Sequence, residues 1–254
     1  MLAILRTFLF IHPVLFFSTM IMGSISMLIS PFDKDGNSQI RLARIWAKML
    51  CLSMGIRVRF EGLEKLDFSL NYIFAANHLS YTDTPALLGN LPTNFRFLAK
   101  SGLFAIPFMG GHLRTAGHIP VILDNPWKAV RTLSAAGRII REKRLSLLIF
   151  PEGGRSEGKL GKFKGGAAYL AIQSGVPVVP IALIGTREIL PMHGKIFHSG
   201  DVLIRIGDPL PVGHLTRKDR KPFTREMERS LANMLDGRYG SKELAGELSG
   251  ELAD

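Results

Sequence analysis

From Thr7 to Phe32 the chain carries no Asp, Glu, Lys or Arg. That run exceeds the roughly 20 apolar residues that cross a hydrocarbon core, and it is too long for the core of a signal peptide. Pro13, Gly23 and several Ser and Thr interrupt it, so it spans a bilayer or dips in and returns; a buried core helix is the other reading, disfavoured because core helices are amphipathic and shorter. The next segment, RLARIWAKMLCLSMGI (41–56), has a different period. Arg41, Arg44 and Lys48 share one narrow arc at about 100° per residue, and the remainder is nearly all apolar. This predicts a basic amphipathic helix, too short to span. It either lies at a membrane interface, cations toward lipid phosphates and Trp46 and Leu50 buried, or packs on a core with its basic face solvated.

From residue 56 onward the period shortens. Strands are predicted at 57–62, 71–76, 95–100, 117–123, 145–150, 176–183 and 202–207, where short apolar or alternating runs end in polar or Gly-containing turns. Helices are predicted between them. One starts at the cap Asn125 with Pro126 in the first turn and runs to about Arg144. A second, GGAAYLAIQSG, closes on Gly175. A third, 222–236, sets Phe223, Met227, Leu231 and Met234 on one face. The expectation is an α/β fold: a largely parallel central sheet flanked by helices, preceded by an N-terminal membrane-binding helical segment. The chain divides into a membrane-anchoring segment (1–55), an α/β domain (56–237) and a flexible acidic tail (238–254). Ligands of such sheets bind beyond the C-terminal ends of the strands.

Composition narrows the partners. The single cysteine, Cys51, excludes a disulfide framework and multi-cysteine metal sites. It lies in the apolar part of the 41–56 helix with no activating neighbour, and is expected to be inert. The net charge of +11 calls for an anionic partner. The mean hydropathy is positive, which favours a membrane surface over nucleic acid. One Arg precedes the long apolar run and Lys34, Arg41, Arg44 and Lys48 follow it. If the run spans, the rest of the chain faces the cytoplasm.

Two strand ends carry chemistry. N-H-L-S-Y-T-D (77–83) directly follows an apolar strand. His78 and Asp83 are too far apart on a regular helix to meet. They meet if the chain turns between them and a helix starts near Asp83, as Ser80, Thr82 and Pro85 favour. A carboxylate on one imidazole nitrogen fixes the tautomer and leaves the other free as a base. The bland alternative makes Asp83 an N-cap and His78 a polar turn residue. Ser80 lacks the G-x-S-x-G elbow of a nucleophile and reads as a helix-start hydroxyl. The second strand end, F-P-E-G-G-R-S (150–156), supplies a Gly pair whose backbone can wrap an anion and Arg155, whose planar fork can hold two phosphate oxygens. Lys159, Lys162 and Lys164 follow. A rival pattern overlaps it: residues 153–160 read as a P-loop except that Leu160 stands where Mg-binding Ser or Thr belongs. The other six histidines show no metal spacing and read as loop or core residues, so no metal is expected.

In combination these segments resemble the glycerophospholipid acyltransferases, especially the 1-acyl-glycerol-3-phosphate acyltransferases. A-K-S-G-L-F-A-I-P-F-M-G-G (99–111) with G-H-I-P-V (117–121) resembles that family's second block, and V-P-V-V-P-I-A-L (176–183) its fourth. The likeness covers about residues 55–210. It implies that His78 is the general base and Asp83 its orienting partner. It implies that Lys100, Glu152, Gly153 and Arg155 bind the acceptor, and that 176–183 helps line the acyl region. Two positions depart: Gly154 stands where the family usually has Thr, and Leu123 where it usually has a phosphate-binding Arg. Lys159, Lys162 or Arg114 could substitute. The implied reaction moves an acyl group from a thioester, acyl-CoA or acyl carrier protein, to the sn-2 hydroxyl of lysophosphatidic acid at a membrane, giving phosphatidic acid. Another lysolipid is the alternative acceptor. The thioester is a co-substrate, and no cofactor or metal is needed because it is already activated. A membrane-anchored nucleotide-binding P-loop protein and a noncatalytic membrane-binding protein on the same fold are the other classes.

Overall fold

A computed structural model of the chain describes residues 1–122 and 126–235. Leu123, the Asn125 cap, the last position of the 222–236 helix and the 238–254 tail therefore lie outside the described residues.

The apolar run forms one helix, Leu2–Phe32, with the length and composition to cross a membrane. It comprises α1 (Leu2–Arg6), a π turn (Thr7–Ile11) and α2 (His12–Ile29). The widened turn sits against Pro13, which has no N–H to donate to the preceding turn. Leu9, Phe16, Phe17, Ile21 and Leu28 face outward and exposed.

The basic helix α3 (Asn37–Met54) ends on Gly55, whose positive φ of 70° closes it in the left-handed region. Of its two readings, core packing is the one observed. Ile40, Ala43, Ala47, Leu50, Cys51 and Met54 are buried. Arg41 and Lys48 are exposed, while Arg44 donates to the Thr93 carbonyl at 2.7 Å. Trp46 is half-buried rather than presented to an interface. Core packing therefore runs through the 55/56 boundary expected from the sequence.

All seven strands form where the pattern places them: β1 (Ile56–Glu61), β2 (Ile73–Ala76), β3 (Phe95–Lys100), β4 (Ile119–Val121), β5 (Ser146–Ile149), β6 (Val178–Ile184) and β7 (Gly200–Ile206). They make one sheet in the order β1-β7-β6-β2-β5-β3-β4. Every pairing is parallel except β6 with β7. β2 lies in the middle, between β5 and β6, and is buried along its whole length. Its side chains alternate between two cores. Phe74 and Ala76 pack on the α3 side, with α4 (Asp83–Asn90). Ile73 and Ala75 pack on the other face, under α6 (Pro126–Lys143), α7 (Gly166–Ser174) and α9 (Arg220–Met234). Two short helices, α5 (Met109–Thr115) and α8 (Thr186–Ile189), complete the layers. The strand ends that carry both motifs thus emerge side by side: β2 delivers His78 and β5 delivers Glu152.

Candidate active site

Asn77 starts the first loop. Its amide replaces a strand pairing, donating to the Leu183 carbonyl at 3.0 Å and accepting the Leu183 N–H at 2.7 Å. The chain then turns as the sequence reading requires, and α4 begins at Asp83. Asp83 is fully buried, and its Oδ2 accepts from His78 Nδ1 at 2.7 Å and from the backbone N–H groups of Leu79 and Ser80 at 2.8 and 2.9 Å. The first turn of a helix also favours a carboxylate. His78 stacks on Phe150, with ring centroids 4.0 Å apart and planes 15° from parallel. With Nδ1 held by Asp83, Nε2 is the nitrogen left for chemistry. The imidazole remains partly exposed and borders a cavity. Ser80 is buried and donates to the Leu190 carbonyl at 2.7 Å, so it serves the turn and not as a nucleophile.

Glu152 departs from the acceptor-binding role implied for it. It is buried, and both oxygens already hold backbone groups: Oε1 the N–H of His78 and Oε2 the N–H of Gly161, each at 2.7 Å. Burial pushes its pKa up, opposed by those two N–H groups. The Ser156 N–H adds a bond to the His78 carbonyl at 2.9 Å. The loop after β5 therefore clamps the backbone of the candidate base from both sides. A Glu after a buried strand gave no sign that its partners lay 74 residues away.

Gly153, Arg155 and Lys100 do share the cavity with His78. Gly153 adopts φ +76°, and a Cβ there would lie 2.7 Å from Lys164 Nζ. Gly154 has open space around its Cβ position, so the Thr of the resembled pattern is not excluded by crowding. Arg155 lies 3.6 Å above the Tyr81 ring and donates to the Met192 carbonyl at 2.9 Å. Among the proposed replacements for the missing Arg, Lys159, Lys162 and Arg114 do not line the cavity. Arg114 instead donates to the Phe104 carbonyl. Lys164 and Arg220 do line it, and Arg220 had carried no signal in the sequence. The P-loop alternative lacks its helix: Leu160 is buried in the core and α7 starts only at Gly166.

The cavity measures about 1070 Å³. Beyond its cationic end it is walled by apolar side chains, among them Met22, Leu42, Trp46, Leu113 and Leu133. His112 and His118 also border it. Ser26 Oγ lies 2.8 Å from His112 Nδ1, and His118 Nδ1 accepts the Phe97 N–H at 2.8 Å. Burial first, then the positive charge of Arg96, pushes His112 down to about 4. His118 is lowered well below its ordinary value, by burial and then by His112 and Arg96. Arg96 is itself buried and donates to the Asp35 carbonyl at 2.8 Å.

The family profile described as Acyltransferase matches residues 57–184. The chain is 36% identical over 172 residues to the chloroplastic 1-acyl-sn-glycerol-3-phosphate acyltransferase BAT2 of Brassica napus, covering 66% of this chain and 49% of that one. It is 28% identical over 213 residues to the 1-acyl-sn-glycerol-3-phosphate acyltransferase of Saccharomyces cerevisiae, covering 83% and 70%. It spans about half the length of the plant relatives it matches. A crystal structure of the 1-acyl-sn-glycerophosphate acyltransferase PlsC from Thermotoga maritima superposes with a TM-score of 0.73 at 26% identity, over 91% of this chain and 95% of that one.

Proposed function

The chain belongs to the acyltransferase family, and on that premise we propose that it acylates the sn-2 hydroxyl of 1-acyl-glycerol-3-phosphate, giving phosphatidic acid. The donor is an acyl thioester of coenzyme A or of an acyl carrier protein, and no cofactor takes part. The observation that carries this reading is the 2.7 Å His78–Asp83 pair, placed where a cavity with apolar walls meets Arg155, Lys100 and Lys164.

His78 Nε2 accepts the proton of the acceptor hydroxyl as its oxygen attacks the thioester carbonyl. Asp83 holds the ring in orientation and stabilises the imidazolium. Collapse of the tetrahedral intermediate breaks the C–S bond, and the imidazolium returns its proton to the departing thiolate. No bond to the enzyme forms. Arg155 and the two lysines hold the acceptor phosphate, and the apolar walls hold acyl chain. The N-terminal helix keeps the domain on the membrane that supplies the acceptor, with the site on the cytoplasmic face. Proximity of a lipid acceptor to a soluble donor lowers the barrier further.

Purified protein incubated with a panel of lysolipids and both kinds of thioester tests the reading. Transfer to lysophosphatidic acid is expected to dominate and to weaken in Arg155→Ala. Faster transfer to a phosphate-free lysolipid, indifferent to Arg155→Ala, overturns it.

A further inference from the structure

The exposed apolar side chains do not end with the N-terminal helix. β3 and β4 are paired so that Lys100 stands opposite Val121. Two elements beyond these strand ends contribute to the same cavity. One is the 3₁₀ turn Ser101–Ala105 with Ile106, the other the start of α6. Both present large apolar groups to the outside: Leu103 is 40% exposed, Ile106 43%, Val130 44% and Trp127 87%. Leu103 and Val130 also line the cavity, so these two form part of its rim, with Ile106 and Trp127 within three residues of them in the chain.

This rim is continuous with α2. A Cβ at Gly23 would lie 2.8 Å from the Cβ of Phe108, two residues beyond Ile106, and Ser26 bonds to His112 on α5. Ile25 and Leu28, on the same half of α2, are exposed. Basic side chains accompany the belt: Lys100, which lines the cavity, is exposed, as are Arg131 next to Val130 and Lys34 just after the N-terminal helix. Of the nearby acids, Asp33 caps the N–H groups of Ser38 and Asp35, and Asp35 is itself exposed beside Lys34. An outward Trp beside aliphatic groups and cations is the chemistry of a lipid headgroup boundary.

We propose that the Ser101–Ile106 segment and the first two turns of α6 are a second lipid contact, made with a bilayer that carries anionic phospholipid. The cavity mouth is then bordered by lipid on two sides: α2 on one, the Trp127 rim on the other. A lipid enters the cavity from the interface without passing through bulk water. The contact is a property of the surface and holds whatever reaction the site performs, so its test reads position and not turnover.

The chain has two tryptophans, so Trp46→Phe leaves Trp127 as the only reporter. The full chain is reconstituted in phosphatidylcholine–phosphatidylglycerol vesicles with and without brominated acyl chains. Brominated lipid is expected to remove most of the Trp127 emission, and aqueous iodide to have little effect. Equal emission in both vesicles with free access for iodide overturns the proposal. So does protection of Trp127 only on adding an acidic carrier protein, which would make the rim a protein-docking surface. A second probe does not depend on Trp46: a nitroxide on Ile106→Cys in a Cys51→Ala background. Relaxation by oxygen greater than by an aqueous nickel chelate is expected, and the reverse order overturns the proposal.

Discussion

Two sets of imidazoles border one cavity. His78 is held by a carboxylate, stacks on Phe150 and keeps contact with solvent. His112, half-buried, and His118, buried, meet a hydroxyl and a backbone N–H near the guanidinium of Arg96, and among the described residues neither has a carboxylate partner. The same ring is thereby given opposite surroundings. A carboxylate stabilises the cation that forms when a base takes its proton, whereas burial beside a cation keeps the ring neutral. An uncharged imidazole fills space and satisfies hydrogen bonds, which is what the apolar part of the cavity requires.

The largest expected effect breaks this comparison if it fails. His78→Ala should reduce acyl transfer by about 10²–10⁴-fold while the fold is kept, and Asp83→Asn should lose most activity because the ring loses its orienter. Initial rates of thiol release check both. Turnover near wild type in folded His78→Ala removes His78 from the role of base.

The second set, His112 and His118, should speak through stability. The proton affinity of His112 is lowered on folding, from 6.5 to about 4. As pH falls below 6.5 the unfolded chain takes up the proton first, so stability is full above that pH and is lost progressively down to about 4. The linkage amounts to about 3 kcal/mol, and His118 acts in the same direction. Urea unfolding at a series of pH values measures it, and His112→Phe should flatten the slope. An unchanged slope in that variant means His112 is not the group responsible.

Glu152→Gln sharpens the assignment of the clamp. A Gln has one acceptor for two N–H donors, and leaving a buried donor unpaired costs about 1–3 kcal/mol. The turnover number should fall about tenfold, equal to about 1.4 kcal/mol of barrier, with little change in the acceptor KM. A rise in acceptor KM at constant turnover would restore Glu152 as a ligand. Arg155→Lys should do the reverse, raising acceptor KM by about tenfold with the thioester KM less affected. Smallest of all is Cys51→Ala. Burial pushes that thiol up to about 11, so it is not a thiolate at neutral pH. Activity within about twofold is expected, and a loss beyond tenfold in folded protein would indicate a thiol mechanism.

The strands were legible because each is a short apolar or alternating run ended by polar or Gly-containing turns, and the His78–Asp83 meeting followed from the helix-start residues between them. Sheet order was not legible. Nothing in GDVLIRI marks β7 as antiparallel to β6, because pairing partners are chosen by the whole layer. The role of α3 was left open, since a basic arc on an apolar helix suits a membrane and a core equally. Glu152 was misplaced for a related reason: residue type indicates charge but not which distant backbone group will claim it. Tyr81 lay within the recognised motif, yet its contact with Arg155 depends on two loops meeting across the sheet. Arg96, His112 and His118 became a cluster only through the pairing of β3 with β4 and the packing of α2 on α5.

The position of β2 also sets the order in which the molecule can be assembled. Its neighbours β5 and β6 begin at Ser146 and Val178, so neither exists when residues 73–76 leave the ribosome. One edge of an apolar strand waits unpaired while about 70 further residues are made, and the other while about 100 are made. Such long-range parallel pairing folds slowly and exposes sticky edges meanwhile. The Leu2–Phe32 helix, synthesised before β2, can already have tethered the nascent chain to a bilayer, which limits the collisions an exposed edge can make. Because Glu152 and Ser156 fix His78 only after β5 has docked, the loop that carries His78 acquires its final shape late, and refolding followed by activity should lag refolding followed by helix content.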